Sequence, residues 1–187
     1  MNYPSSYVIK EFSVFDWKML TILFKQCFPP LTLKNISFTI RHHKDTIRLC
    51  IHEQKIVGFL VYYPTSMHSV WLDYLAVKND MLNMGIGSLL IEHMENELSR
   101  NGFSVIELVV FPENHSAVKF YKKHGYRYSQ KTGKKLKFSK SISPSVPPKR
   151  HSDNHLPAFI GKKLKTAFWY LIYQATIRPF IKGYFTL

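Results

Sequence analysis

The stretch that most constrains this chain is Trp71–Ser88, WLDYLAVKNDMLNMGIGS. Trp71–Val77 alternates as a strand, Lys78–Met84 makes a loop of mixed polarity, and Gly85-Ile86-Gly87-Ser88 opens a helix. Glycines at a strand-to-helix passage permit positive φ and leave space beside the backbone. A helix start directs unpaired N–H groups outward at the positive end of its dipole, so the turn is suited to a phosphate. The same pattern also serves as a plain structural turn. Either way, a strand feeding a helix through a tight turn calls for a sheet with helices packed on it.

The flanking segments supply those elements. Tyr7–Phe12 alternates as a short strand, and Ser13-x-x-Asp16 reads as a capping box for a helix ended by Pro29-Pro30. That helix carries Trp17, Leu20, Phe24 and Phe28 on one face. Leu33–Lys44 reads as a second helix. Thr46–His52 and Lys55–Tyr63 are strands joined at Glu53-Gln54, and Pro64–His68 turns into the central strand. After the glycines, Ile86, Leu89, Leu90, His93, Met94 and Leu98 recur at helical spacing, and Asn101-Gly102 stops the helix. Val105–Phe111 is a buried strand, a short helix runs from Ser116 to His124, and Tyr126–Gln130 is one more strand.

Two ordered blocks carry a family resemblance. AVKNDMLNMGIGSLLIEHMENEL resembles the acetyl-CoA loop and following helix of the GNAT (Gcn5-related N-acetyltransferase) superfamily. ELVVFPENHSAVKFYKKHGYRY resembles that family's Asn-x-x-Ala-x-x-Phe-Tyr-x-x-x-Gly-Tyr/Phe segment, at the family's separation. The resemblance covers about residues 7–130. It implies an α+β fold in α/β/α layers, with a mixed, mostly antiparallel sheet whose central strands splay to form an acyl-CoA cleft. One position departs: the family's loop begins with Gln or Arg, and this chain has Leu82, with Asn83 and Met84 where Gly and a basic residue are common.

The resemblance implies a direct transfer of acetyl from acetyl-CoA to a primary amine in a ternary complex. The acceptor would be a protein N-terminus, a lysine or a small amine. By resemblance the backbone of Leu75, Ala76 and Val77 holds the acetyl and pantetheine arm, with the Val77 amide facing the developing oxyanion. Asn83, Met84, Gly85, Ile86, Gly87 and Ser88 cradle the pyrophosphate, and Asn114 contacts the pantetheine arm. Tyr121 matches the tyrosine that protonates the departing thiolate, while Phe120 is expected to pack under its helix.

The general base is open among Asp73, Glu107 and water. The expectation from strand alternation places Asp73 on the face of Val77, and Glu107 on the neighbouring strand beside the same cleft. Trp71 stands where some relatives carry a glutamate base. The acceptor pocket is expected from Leu31–Lys44 and the loop after Gln130. Of the nine histidines, His42, His43, His52, His68 and His93 lack zinc-site spacing, so no metal is assigned.

Composition bears chiefly on the C-terminal third. Of 187 residues, 45% are hydrophobic, enough for one domain with an extension. Residues 1–129 hold fourteen Lys and Arg against eleven Asp and Glu, whereas residues 130–187 hold twelve against Asp153 alone. The expected organisation is a transferase domain over 1–164, containing a basic flexible loop at 131–155, and an apolar, aromatic extension at 165–187. Leu156–Leu164 is expected to supply the last strand. The extension is read as a dimer contact, a docking segment or a peripheral membrane contact, with nucleic acid less favoured. The alternative function is therefore a binding module on the same scaffold, with a cofactor site weakened at Leu82 and tethered through this tail. Isolated Cys27 and Cys50, no leader-like start and no spanning apolar run lead to the expectation of a cytoplasmic protein.

Overall fold

The computed structural model describes residues 7–145. Strand β1 (Val8–Glu11) leads through a short 3-10 turn (Val14–Asp16) into helix α1 (Trp17–Cys27). The expected capping box is present: the Asp16 carboxylate accepts from the Ser13 N–H at 2.9 Å, and also from Lys10 at 2.7 Å. Helix α2 (Leu33–His43) starts at Thr32, whose hydroxyl accepts from the Asn35 N–H while Asn35 Oδ1 accepts from the Thr32 N–H. Strands β2 (Ile47–His52) and β3 (Lys55–Pro64) are joined by Glu53 and Gln54 at φ 47° and 61°. Two left-handed residues in succession are what a two-residue hairpin turn of right-handed strands requires.

Strand β4 (Ser69–Val77), helix α3 (Ile86–Arg100), strand β5 (Val105–Val110), helix α4 (His115–Lys123), and strands β6 (Arg127–Thr132) and β7 (Lys135–Ser141) complete the order. The seven strands lie in the order β1-β2-β3-β4-β5-β7-β6. All neighbours are antiparallel except β4 and β5, which run parallel. Leu20, Phe24, Ile36 and Ile40 pack from α1 and α2 onto one face, against Leu49, Phe59, Val61 and Tyr74. Ile86, Leu90, Met94 and Leu98 of α3 and Tyr121 of α4 pack onto the other face, against Leu60, Leu75, Ile106 and Phe138. These are the α/β/α layers of the expected fold. Among the described residues no helix is long and apolar enough to cross a membrane.

Two expectations change. The Lys-rich run after Gln130 is not loop throughout, because β7 occupies residues 135–141 and inserts between β5 and β6. Leu136 and Phe138 face the α3 cluster, while Lys135 and Lys137 point to the opposite face, and Gly133 at φ 58° turns the hairpin. The residues expected to form the last strand, 156–164, and the extension at 165–187 lie outside the described residues. On α3, Ile91 is buried as well, and His93 sits at the helix edge with its side chain 36% exposed.

The second change concerns Asp73. Val61 pairs with Tyr74 and Tyr62 with Leu72, so Asp73 is the extra residue of a β-bulge. Alternation breaks there: Val70 and Leu72 face α3, and so do Leu75 and Val77. The expected common face of Asp73 and Val77, counted by alternation, therefore does not follow from this strand.

Gly58 sets the seating of α3. A Cβ at this position would lie 2.9 Å from Ile86 Cγ2 and 3.0 Å from the Ala76 carbonyl oxygen. The backbone oxygen cannot yield as a side chain could. Gly58→Ala is expected to cost about 1–3 kcal/mol through overpacking, seen as a lower urea midpoint at unchanged m-value; an unchanged midpoint would show that α3 shifts freely. Cys27 and Cys50 are both buried and free, and burial pushes each thiol up to about 11. Both therefore stay protonated and unreactive near neutrality.

Candidate active site

The site begins where the sheet opens. β4 and β5 share only the rungs Ser69–Val105, Val70–Ile106 and Trp71–Glu107. Beyond them β4 runs on to Val77 and β5 to Val110 with no rung between, while β5 stays paired on its other edge with β7 over its whole length. Two parallel strands that part after a short ladder leave a V-shaped gap bordered by backbone.

Hydrogen bonding to β3 decides which groups of β4 face the gap. The Lys78 N–H donates to the Val57 carbonyl at 2.9 Å, which brackets Val77 and Gly58 as a non-hydrogen-bonded pair. The N–H and C=O of Val77 therefore point away from β3, toward β5, and by alternation so do those of Leu75. Ala76, opposite Phe59, spends its backbone groups on β3. Of the three residues expected to hold an acyl arm, Leu75 and Val77 present backbone to the gap.

The mouth of the gap continues into a cavity of about 350 Å³ lined by the glycine turn on one side and α4 on the other. Asn83 at φ 63° and Gly85 at φ 83° carry the chain into α3 through left-handed conformations. Asparagine tolerates this region better than most residues, and glycine does so freely. Ile86, Gly87 and Ser88 form the first turn of α3, whose N–H groups have no carbonyl one turn back. Leu82 does not line the cavity with a polar group; its side chain packs toward the α3 cluster. Met84 is 52% exposed.

The opposite wall contributes residues that the sequence reading passed over. Lys123 and His124, at the C-terminal end of α4, line the same cavity. His124 Nδ1 is 2.9 Å from the Phe120 carbonyl, and Nε2 is 2.9 Å from Ser88 Oγ. A carbonyl oxygen only accepts, so Nδ1 carries the hydrogen, and in the neutral ring Nε2 accepts from the serine hydroxyl. No local sequence signal marks this contact, which joins residues 36 apart.

Asn114 is the N-cap of α4: its Oδ1 accepts from the Ala117 N–H at 3.0 Å and from Ser116 Oγ at 2.9 Å. That use of the oxygen fixes the start of the helix that carries Tyr121. Tyr121 is 1% exposed, edge-on to Phe120 and Tyr126 at ring separations of 5.3 and 5.5 Å, and burial pushes its phenol well above the usual tyrosine range. Glu107, at the last rung before the gap opens, accepts from Lys137 Nζ at 2.7 Å. Glu107 and Trp71 share the α1–α2 face, where Trp71 packs with Tyr63 and Val109 and His43 stacks on Tyr63 at 4.9 Å. Glu107 thus sits on one side of the sheet, and the glycine turn, Lys123 and Tyr121 on the other. Among the described residues no group of three or more His, Cys, Asp or Glu side chains is placed to hold a metal.

Residues 12–126, more than half of the chain, match the Acetyltransferase (GNAT) family, and the chain belongs to that family. It is 25% identical over 105 residues to the uncharacterized protein YxbD of Bacillus subtilis (strain 168), a match that spans 56% of this chain and 63% of that relative's length. Among solved structures, Ard1 from Thermoplasma volcanium superposes with a TM-score of 0.66 at 20% identity, over 73% of this chain and 98% of that one. Arabidopsis thaliana Naa50, in complex with the bisubstrate analogue CoA-Ac-MVNAL, gives a TM-score of 0.62 at 24% identity, over 73% and 99%. At these identities the structures bear on the fold; family membership supports acetyl transfer as the general chemistry.

Proposed function

We propose that this chain transfers an acetyl group from acetyl-CoA to a primary amine by direct attack in a ternary complex. The observation that carries this reading is the gap between β4 and β5, edged by backbone groups of Leu75 and Val77 turned away from β3 and continuous with the cavity at the start of α3. A ligand with an amide-bearing arm and a diphosphate fits both halves: the arm pairs with the β4 edge as an added strand would, and the diphosphate meets unpaired N–H groups. The donor set suits an anion, since Lys123 and His124 line the cavity and no carboxylate does. Bound acetyl-CoA supplies an acyl carbon activated as a thioester.

The chain's own groups then divide the work. The Val77 N–H donates to the oxygen on which charge develops. Asp73 or Glu107, directly or through water, takes the proton that the amine releases. Tyr121 donates to the departing sulfur from the other side of the sheet. The acceptor enters from the α1–α2 face, between residues 31–44 and the β6–β7 turn. The bisubstrate analogue bound to Naa50 joins CoA to a peptide, which supports simultaneous occupancy of both sides.

A thermal-shift titration tests the cosubstrate. Acetyl-CoA at about a hundredfold excess over its dissociation constant is expected to add about 2.7 kcal/mol of stability, visible as a saturable rise in Tm. ATP at the same concentration is expected to give no comparable rise. No shift at millimolar acetyl-CoA would mean that Leu82 disables the turn, and would favour a binding module on this scaffold.

A further inference from the structure

Charge is distributed over the acceptor side of this fold in a definite order. The walls of that side come from residues 17–44 and from the β6–β7 hairpin. Residues 17–44 hold five Lys and Arg and no Asp or Glu; residues 127–141 hold six and again none, of which Lys140 turns to Glu95 on the α3 face. Glu107 of this face, and Asp73 at the β4 bulge, stand on the central strands, at the closed end of the gap. Lys137, paired with Glu107, reaches over Trp71 at 6.0 Å from the ring centre. Lys135, two residues nearer the mouth on the same face of β7, lies 4.8 Å over the Phe111 ring, and Lys134 follows in the exposed turn. The order from the closed end outward is therefore carboxylate, then a row of ammonium groups.

From this arrangement we infer that the acceptor is an acidic peptide, its free amino end directed to the carboxylates and its acidic side chains to the β6–β7 lysines. This rests on the transferase reading and deepens it. A ligand that fits has positive charge at the tip and negative charge behind it. Lys135 and Lys137 are two residues apart on one strand, hence roughly 7 Å, the same interval that separates alternate side chains of an extended peptide. The two carboxylates disfavour a phosphodiester backbone at the reacting end, where its charges would meet theirs. A neutral acceptor gains nothing from the row of lysines.

The experiment uses the full chain and two peptides with free amino ends and a C-terminal fluorophore, one with glutamate at its second and fourth positions and one with glutamine there. Binding is followed by fluorescence anisotropy. The glutamate peptide is expected to bind about tenfold more tightly at low salt, with the preference falling to about twofold at high salt as screening shortens the reach of the lysines. Lys134→Glu combined with Lys135→Glu is expected to erase the preference, while the acetyl-CoA thermal shift of the same sample reports that the variant is folded. Equal binding of the two peptides, a preference that survives the charge reversal, or an RNA oligonucleotide of equal charge that displaces the glutamate peptide more effectively than unlabelled peptide does would each overturn the inference. Loss of the acetyl-CoA shift in the unaltered chain would instead retire the transferase reading, because the peptide preference is measured without cosubstrate.

Discussion

Tyr121→Phe is expected to lower kcat about a hundredfold while leaving the acetyl-CoA thermal shift and the unfolding midpoint nearly unchanged. The ring of Tyr121 is packed edge-on between Phe120 and Tyr126 inside the α3–α4 cluster, and phenylalanine keeps those contacts. What the variant loses is the hydroxyl. Burial raises the phenol's pKa above its ordinary value of about 10, so Tyr121 is a neutral donor throughout the neutral and mildly alkaline range. A thiolate whose conjugate acid has a pKa of about 8.5 is a weaker base than that phenolate, so full proton transfer from Tyr121 to sulfur runs uphill. The contribution expected of it is a hydrogen bond that strengthens as the carbon–sulfur bond breaks and charge gathers on sulfur. The sign of the pKa shift gives a second readout: kcat of the unaltered enzyme should show no alkaline fall from tyrosine ionisation below about pH 10. An unchanged kcat in the variant would remove Tyr121 from the mechanism, and a collapse of stability would make it a packing residue first.

How far the sequence foretold this site depends on the range of the interactions. The glycine turn and the N-cap of α4 were legible because their chemistry is local: Gly85 and Asn114 act on backbone within a few residues. The β2–β3 hairpin was legible for the same reason. Strand β7 was not, because lysines at 135, 137 and 140 gave the segment the composition of a solvated loop, while Leu136 and Phe138 carried a strand's alternation unnoticed. Its insertion between β5 and β6 is a matter of topology that no window of residues contains. The bulge at Asp73 depends on the register of β3 against β4, so alternation counted along β4 alone does not place the carboxylate. The contacts of His124 with Ser88 and of Lys137 with Glu107 likewise join distant segments. Each missed feature is a pairing between elements, and pairings fix which side of the sheet each charged group serves.

Glu97→Ala is expected to cost about 3–5 kcal/mol, the largest stability loss anticipated for a single charged side chain here. Arg48 on β2 is 3% exposed and gives its Nε and Nη2 to the two carboxylate oxygens of Glu97 on α3, with Nη1 donating to the carbonyls of Asp45 and Ile47 at 3.0 Å each. Tyr62 on β3 donates to the same carboxylate at 2.7 Å, and the guanidinium lies 5.7 Å from the Tyr62 ring centre. Burial alone would lower the pKa of Arg48, but its bonds to Glu97 outweigh that and hold it above the ordinary value. Without that carboxylate, the buried guanidinium keeps as charged partner only the exposed Glu11, 3.5 Å from Nη2. Glu97→Gln, which keeps an acceptor but no charge, is expected to lose about half as much. Arg48→Met combined with Glu97→Leu is expected to recover most of the loss, because the desolvation of both ions disappears together. Urea unfolding of the three variants reads the outcome directly. A loss below about 1 kcal/mol for Glu97→Ala would place the pair among the weak, water-screened bridges of protein surfaces. A double variant no better than Glu97→Ala would show instead that the shape of the paired side chains, rather than their charge, fixes α3 to β2 and β3.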